Sequence, residues 1–131
     1  MADLPTKILC DTNFLLIPIR FGVDVFTVAD ETLNDIASFY VSSRVIDEIN
    51  LLKRDAKPGF EKELLFALKM AEHCEIISDD SETPVDDSLI QLAKENGMVI
   101  GTSDSGLRKK ARNEGVKVLY LRQRRYLVLD G

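Results

Sequence analysis

Residues Met98–Leu121 read MVIGTSDSGLRKKARNEGVKVLYL: a short apolar run, a polar turn, a charged helical stretch, a glycine and a second apolar run. Met98–Gly101 and Lys117–Leu121 have the length and composition of strands, and Ser105–Arg112 that of a helix. Gly115 follows the helix end, where a left-handed cap is expected. The same alternation runs outward through the chain. Lys7–Cys10, Phe39–Val41 and Glu75–Ile77 are further candidate strands; helices are expected at about Val23–Asp35, Arg44–Arg54, Phe60–Glu72 and Pro84–Glu95. Ser43 is placed to cap the second helix, Thr83 followed by Pro84 to open the fourth, and Gly97 to end it. Pro58-Gly59 separates two helices. Short strands alternating with longer helices predict an α/β fold with a mainly parallel sheet of about five strands.

The chain has 131 residues, and neither a repeat nor a Pro/Gly/Ser linker interrupts it, so one domain over residues 1–131 is expected. The longest apolar run, Phe14–Ile19, contains Pro18 and is too short to span a bilayer. The opening MADLPTKILCDTN lacks the pattern of a signal peptide. A cytoplasmic protein is expected. Cys10 and Cys74 lack the spacing of a metal or redox motif and read as buried free thiols.

Composition also narrows the chemistry. The sole histidine, His73, closes an expected helix and is badly placed as a catalytic base. Neither G-x-G-x-x-G nor the phosphate-binding G-x-x-x-x-G-K-[ST] occurs, which removes most support for dinucleotide or nucleoside triphosphate binding. The net charge of −5 argues against a general nucleic-acid binder, but it hides a division. Residues 1–105 hold 9 basic and 20 acidic side chains, a balance of −11, and residues 106–131 hold 8 and 2, a balance of +6.

The acidic residues fall where a parallel sheet binds its ligands. Asp11 ends the first strand, ILCD, and Asp104 follows the strand run MVIGTS at the opening of a helix. In a parallel sheet such positions share one edge. Glu48 and Asp87 come early in helices that leave the same edge. Within SSRVIDEINLLK the apolar stripe is Val45, Ile49 and Leu52; Glu48 borders it, and Asp47 is expected in solvent. With Thr83 as N-cap, Asp86 becomes a capping-box residue and Asp87 the better ligand candidate, though which carboxylate faces inward stays open. Asp79, Asp80 and Glu82 read as a solvated loop. Carboxylates gathered without histidine or cysteine call for a hard cation, Mg²⁺ or Mn²⁺.

Taken together, ILCDTNFLL, SSRVIDEINLL, VDDSLIQLA and VIGTSDSGL resemble the PIN-domain nuclease family, in family order and over essentially the whole chain. The resemblance implies a three-layer α/β/α fold and a Mg²⁺- or Mn²⁺-dependent endoribonuclease, with Asp11, Glu48, Asp87 and Asp104 as catalytic, metal-binding carboxylates and Asp86 as the alternative ligand. Asn13, Thr102 and Ser103 fall in the matching D-T-N and T-S-D motifs as supporting residues. The chemistry expected is attack of a cation-activated water on the scissile phosphorus. The basic-aromatic ending VKVLYLRQRRY is similar to archaeal single-domain members and to ribosome-biogenesis endonucleases acting on precursor rRNA. A VapC-type toxin and a non-catalytic RNA- or protein-binding scaffold are the alternatives. A phosphatase with Asp11 as nucleophile is disfavoured, because DTN lacks the usual D-x-D spacing.

RNA binding is expected of Arg108, Lys109, Lys110 and Arg112 on the last helix, and of Arg122, Arg124, Arg125 and Tyr126 beyond it. Arginine contacts phosphate and stacks on bases, and tyrosine offers a stacking face for single-stranded RNA. A homodimer and a protein partner are compatible with the resemblance; a membrane is not expected.

Overall fold

A computed structural model describes residues 5–131. Part of the stretch read as lacking a signal peptide, Met1–Leu4, lies outside the described residues. The first strand, β1 (Thr6–Cys10), carries Ile8, Leu9 and Cys10 wholly buried, as a strand covered on both faces must. It leads into α1 (Thr12–Phe21) and α2 (Val25–Leu33), followed by β2 (Ala37–Ser42), α3 (Ser43–Arg54), α4 (Pro58–Ala71) and β3 (Glu75–Ile77). The second half runs α5 (Val85–Asn96), β4 (Val99–Gly101), α6 (Ser105–Asn113), β5 (Val118–Arg122) and β6 (Tyr126–Asp130).

The sheet order is β3-β2-β1-β4-β5-β6, with the first five strands parallel and β6 antiparallel to β5. Helices flank this sheet in the three-layer α/β arrangement. After β1 the chain builds outward through β2 and β3, then returns to lay β4 against the other side of β1. The strand order therefore reverses between β1 and β4, and a crevice opens outside their carboxyl ends, where open parallel sheets bind ligands. Asp11 and Asp104 follow those two strands.

Three differences from the sequence reading have local causes. The run from Phe14 to Ile19 belongs to α1, whose residues Phe14–Ile17 are all buried; four consecutive buried positions hide the helical period, and Pro18 sits inside the helix instead of ending it. The basic ending forms a hairpin. Gln123 and Arg124 take positive φ values of 54° and 58°, and the Arg125 amide donates to the Arg122 carbonyl at 3.1 Å, closing a type I′ turn without its usual Asn-Gly. Finally, Leu52 is exposed, so the buried stripe of α3 is Val45 and Ile49 alone.

Several helix ends are also displaced from their sequence positions. Ser42, not Ser43, caps α3 by accepting from the Val45 amide at 3.2 Å. Pro84, not Thr83, stands at the N-cap of α5, with no side-chain cap. Pro58 is the first residue of α4 and Gly59 lies within it. Gly97 ends α5 in the left-handed region as expected.

The core joins β1, β4 and β5 to the inner faces of the helices. Its tightest point is Gly101: a methyl group there would lie 3.0 Å from the Phe14 ring, so only glycine lets α1 press this closely onto β4. Cys10 is buried and Cys74 half-buried, and both thiols are free. Among the described residues no single helix is long and apolar enough to cross a membrane.

Candidate functional site

Asp11 and Asp104 leave their strands in the same way. Each is the N-cap of the helix that follows: Asp11 accepts from the Phe14 amide at 2.8 Å, and Asp104 accepts from the Gly106 and Leu107 amides at 2.8 and 3.4 Å. Such caps satisfy orphan amides and set the carboxylates on the positive ends of two helices. Between them stands Thr102, fully buried. Its hydroxyl donates to Oδ2 of Asp11 and accepts from the Asp104 amide at 3.0 Å, so one side chain ties the two acidic turns together.

Asp11 is 7% exposed and its pKa is raised to about 7. Burial is the main cause; the hydrogen bonds from Thr102 and Phe14 oppose it, and the negative charges of Asp104 and Asp86 add to it. Asp86 is half-buried and is likewise pushed up, first by burial and then by Asp104, with Lys110 opposing. Asp11, Asp86 and Asp104 thus form one electrostatically linked group.

Asp87 behaves differently. Its carboxylate is exposed and lies 4.0 Å from Nζ of Lys110, beside a cleft of about 390 Å³ that also takes in Gln91 and Asn113. The displaced N-cap explains the contrast. With Pro84 at the cap, Asp86 and Asp87 occupy the second and third helical positions, so the capping-box reading of Asp86 does not apply and Asp86 is free to turn toward Asp104.

Glu48 is half-buried on the second turn of α3 while Asp47 is exposed, the division expected from the apolar stripe. α3, the helix that carries Glu48, leaves the carboxyl end of β2, beside β1. Asn13 lies half-buried in the first turn of α1, and Ser103 is exposed next to Asp104. Thr12, within the same D-T-N motif, has a buried hydroxyl oxygen with no hydrogen-bond partner.

The donor set fits a hard divalent cation by its chemistry: carboxylates only, two of them raised in pKa partly by mutual repulsion that a cation relieves. Among the described residues no three acidic, histidine or cysteine side chains stand at coordinating distance of one point.

Asp79 lies in a loop, as expected, but is held there by specific bonds. It is half-buried, accepts from the Ser88 hydroxyl and from the Ser81 amide at 2.9 Å, and its backbone amide donates to Ser43 at 2.9 Å. Burial would raise its pKa, but the bonds from Ser88 and Ser81 and the Arg44 charge hold it below the usual carboxylate range. This clamp fixes the loop before α5, and hence the start of the helix that carries Asp86. Nothing in the sequence pattern marks it, because its partners come from α3 and α5.

The basic residues are dispersed. Arg108 lies over the Tyr120 ring at 4.0 Å, Lys109 is exposed, Lys110 faces Asp87, and Arg112 points the other way, with Nε 3.4 Å from Asp130. Arg122, Arg124 and Arg125 crown the β5–β6 hairpin, and Tyr126 pairs across it with Arg122. Because β5 runs parallel to β4, that turn sits at the same sheet edge as Asp104.

Comparison with known proteins agrees with this fold. A family model described as a PIN like domain matches residues 8–124. The chain is 31% identical over 113 residues to Ribonuclease VapC9 of Archaeoglobus fulgidus, covering 86% of this chain and 81% of that protein. It is 27% identical over 128 residues to Ribonuclease VapC4 of Methanocaldococcus jannaschii, covering 95% and 97%. Among solved structures, the PIN domain endonuclease Utp24 superposes with a TM-score of 0.79 at 21% identity, covering 96% of this chain and 92% of that one. A domain of a functionally unknown protein from Methanocaldococcus jannaschii gives 0.60 at 18%, covering 89% and 91%. Sequence, sheet order and the acidic edge converge: the chain belongs to the PIN-domain nuclease family.

Proposed function

We propose that the protein is a metal-dependent endoribonuclease, acting as a single PIN domain on single-stranded RNA. The observation that carries this reading is the buried carboxylate of Asp11, tied through Thr102 to Asp104 and raised in pKa beside Asp104 and Asp86. A carboxylate in that setting is costly unless a cation or a proton shares it. Asp11, Asp104, Glu48 and one residue of the Asp86-Asp87 pair hold the ion. Asp86 is favoured within the pair because it interacts with Asp104, whereas Asp87 faces Lys110. Mg²⁺ or Mn²⁺, when bound, supplies Lewis acidity toward water and the phosphate oxygens. The chain's own part is positioning. Thr102 holds one oxygen of Asp11 and the Phe14 amide the other, which fixes the orientation of the carboxylate that would bind the ion. Asp104 keeps Oδ2 free while Oδ1 caps α6. The hairpin arginines Arg122, Arg124 and Arg125, with Tyr126, receive the RNA strand at the same edge.

The test is incubation with single-stranded and structured RNAs and Mn²⁺, with Asp11→Asn as control. Cleavage abolished by that substitution supports the reading. Absence of cleavage above the control on every substrate overturns it in favour of a non-catalytic scaffold. Two biological settings fit such a nuclease. The basic hairpin suits a precursor rRNA substrate, and the likeness to two proteins named ribonuclease VapC favours a toxin-type role. Expression of the wild type and of Asp11→Asn in a heterologous cell separates them: growth arrest by the wild type alone marks the toxin.

A further inference from the structure

Arg108 lies four residues beyond the N-cap Asp104, one helical turn along the same face of α6, and its amide donates to the Asp104 carbonyl at 3.0 Å. Its guanidinium carbon sits 4.0 Å from the centroid of the half-buried Tyr120 ring on β5. Among the described residues Arg108 makes no ion pair, so the ring, not a carboxylate, holds it in place. A guanidinium stacked in this way is flat and fixed, with its in-plane donors and its outer face still available. Beside the stack is a cleft of about 190 Å³ walled by Ser103, Asp104, Ser105 and Tyr120. It is small for a whole ligand and suits one ring or one nucleotide unit. Its walls also decide which part of a nucleotide enters. The Asp104 carboxylate repels a phosphate, whereas the Ser103 and Ser105 hydroxyls offer donors and acceptors to a neutral polar edge. The lining of the cleft includes Asp104 of the acidic edge and Leu121, which precedes the basic turn.

We propose that Arg108, backed by Tyr120, is a stacking platform for one unpaired base of the RNA strand, seated in this cleft beside the acidic edge. This rests on the ribonuclease reading and adds to it a subsite that positions the strand by a base and not by charge alone.

The experiment measures binding apart from cleavage. Fluorescein-labelled single-stranded RNA oligonucleotides, each with one abasic position, are titrated by fluorescence anisotropy with Asp11→Asn protein in Mg²⁺, alone and combined with Arg108→Lys or Tyr120→Leu. Loss of one particular base is expected to weaken binding about tenfold. Arg108→Lys keeps the charge, so the salt dependence of binding stays the same, but affinity falls by a similar factor and the sensitivity to that base disappears. Tyr120→Leu shifts both readouts in the same direction by releasing Arg108, and circular dichroism checks that each variant is folded. The proposal is overturned if Arg108→Lys binds as before, or if every abasic oligonucleotide binds alike while Arg108→Ala flattens the salt dependence, the mark of a phosphate contact. If either result accompanies normal cleavage by the wild type, the subsite fails and the ribonuclease reading stands. If the wild type neither binds nor cleaves RNA, both fail.

Discussion

The Thr102 hydroxyl donates to the buried carboxylate of Asp11, joining residues that stand at the ends of two adjacent strands and 91 positions apart in sequence. The same oxygen accepts from the Asp104 amide, so the acidic edge is held by one fully buried hydroxyl. Thr102→Val keeps the shape and removes both bonds. Stability is expected to fall by about 1–3 kcal/mol, because a buried charged acceptor loses its partner. Ribonuclease activity should fall about 10- to 100-fold, the usual cost of removing a residue that orients a metal ligand. Thr102→Ser should recover most of both, measured by urea unfolding and RNA cleavage. Equal loss in the Ser and Val variants would show that packing, not the hydroxyl, matters.

Asp11 makes stability depend on pH with a defined sign. Its pKa in the folded protein is about 7 against an ordinary value of 3.8, so the native state holds this proton more tightly than the unfolded chain. Its contribution to stability is complete below 3.8 and is lost as pH rises through about 7. Asp11→Asn should therefore be more stable than the wild type at pH 8, by on the order of 2–4 kcal/mol in the absence of divalent ions. Below pH 4 the advantage should vanish. Urea unfolding at the two pH values measures it; an equal difference at both would refute the burial account.

A divalent ion should reverse the same penalty. Mg²⁺ or Mn²⁺ is expected to raise the wild-type melting temperature at pH 8 and to have little effect at pH 4, where protons compete for the carboxylates. Asp11→Asn should show a much smaller shift at pH 8. Thermal scans with and without the ion make the comparison, and equal shifts in both proteins would mean that the ion binds elsewhere.

The neighbouring Asp86 and Asp87 should differ sharply. Asp86→Asn is expected to lower kcat/KM by on the order of a hundredfold. It should also move the pH profile to lower pH, because a negative charge that raises Asp11 is gone. Asp87→Asn, which only releases the exposed Lys110, should change kcat/KM by about threefold or less. A reversal of these two results would put Asp87 at the ion.

Gly101 tests the packing beneath the site. Gly101→Ala places a methyl group 3.0 Å from the Phe14 ring and 3.1 Å from Ile8. The expected cost is about 1–3 kcal/mol. Combining it with Phe14→Leu should cost less than the two single changes together, since the smaller side chain accepts the methyl group. Simple additivity in urea unfolding would remove the Phe14 contact as the reason for glycine.

Much of the architecture is a property of the sequence alone. The alternation of apolar runs, and glycines 97 and 115 after their helices, carry the order of strands and helices, because period and capping are local effects. The placement of Asp11 and Asp104 at one edge follows from parallel topology, which puts every strand end on the same side. The tertiary structure decided what depends on contact between distant segments. α1 is a helix despite Pro18 because its apolar turn is wholly enclosed, and enclosure leaves no polar face to mark the period. Which of Asp86 and Asp87 senses Asp104 depends on the position of the α5 cap, since a shift of one residue rotates a helical side chain by about 100°. The basic ending became a hairpin turn, an Arg108–Tyr120 stack and an Arg112–Asp130 pair because each arginine took the partner that folding brought within reach. Sequence fixes the kind of side chain and its local period; only the folded chain sets which way it faces and what it meets, because both are distances between residues remote along the backbone.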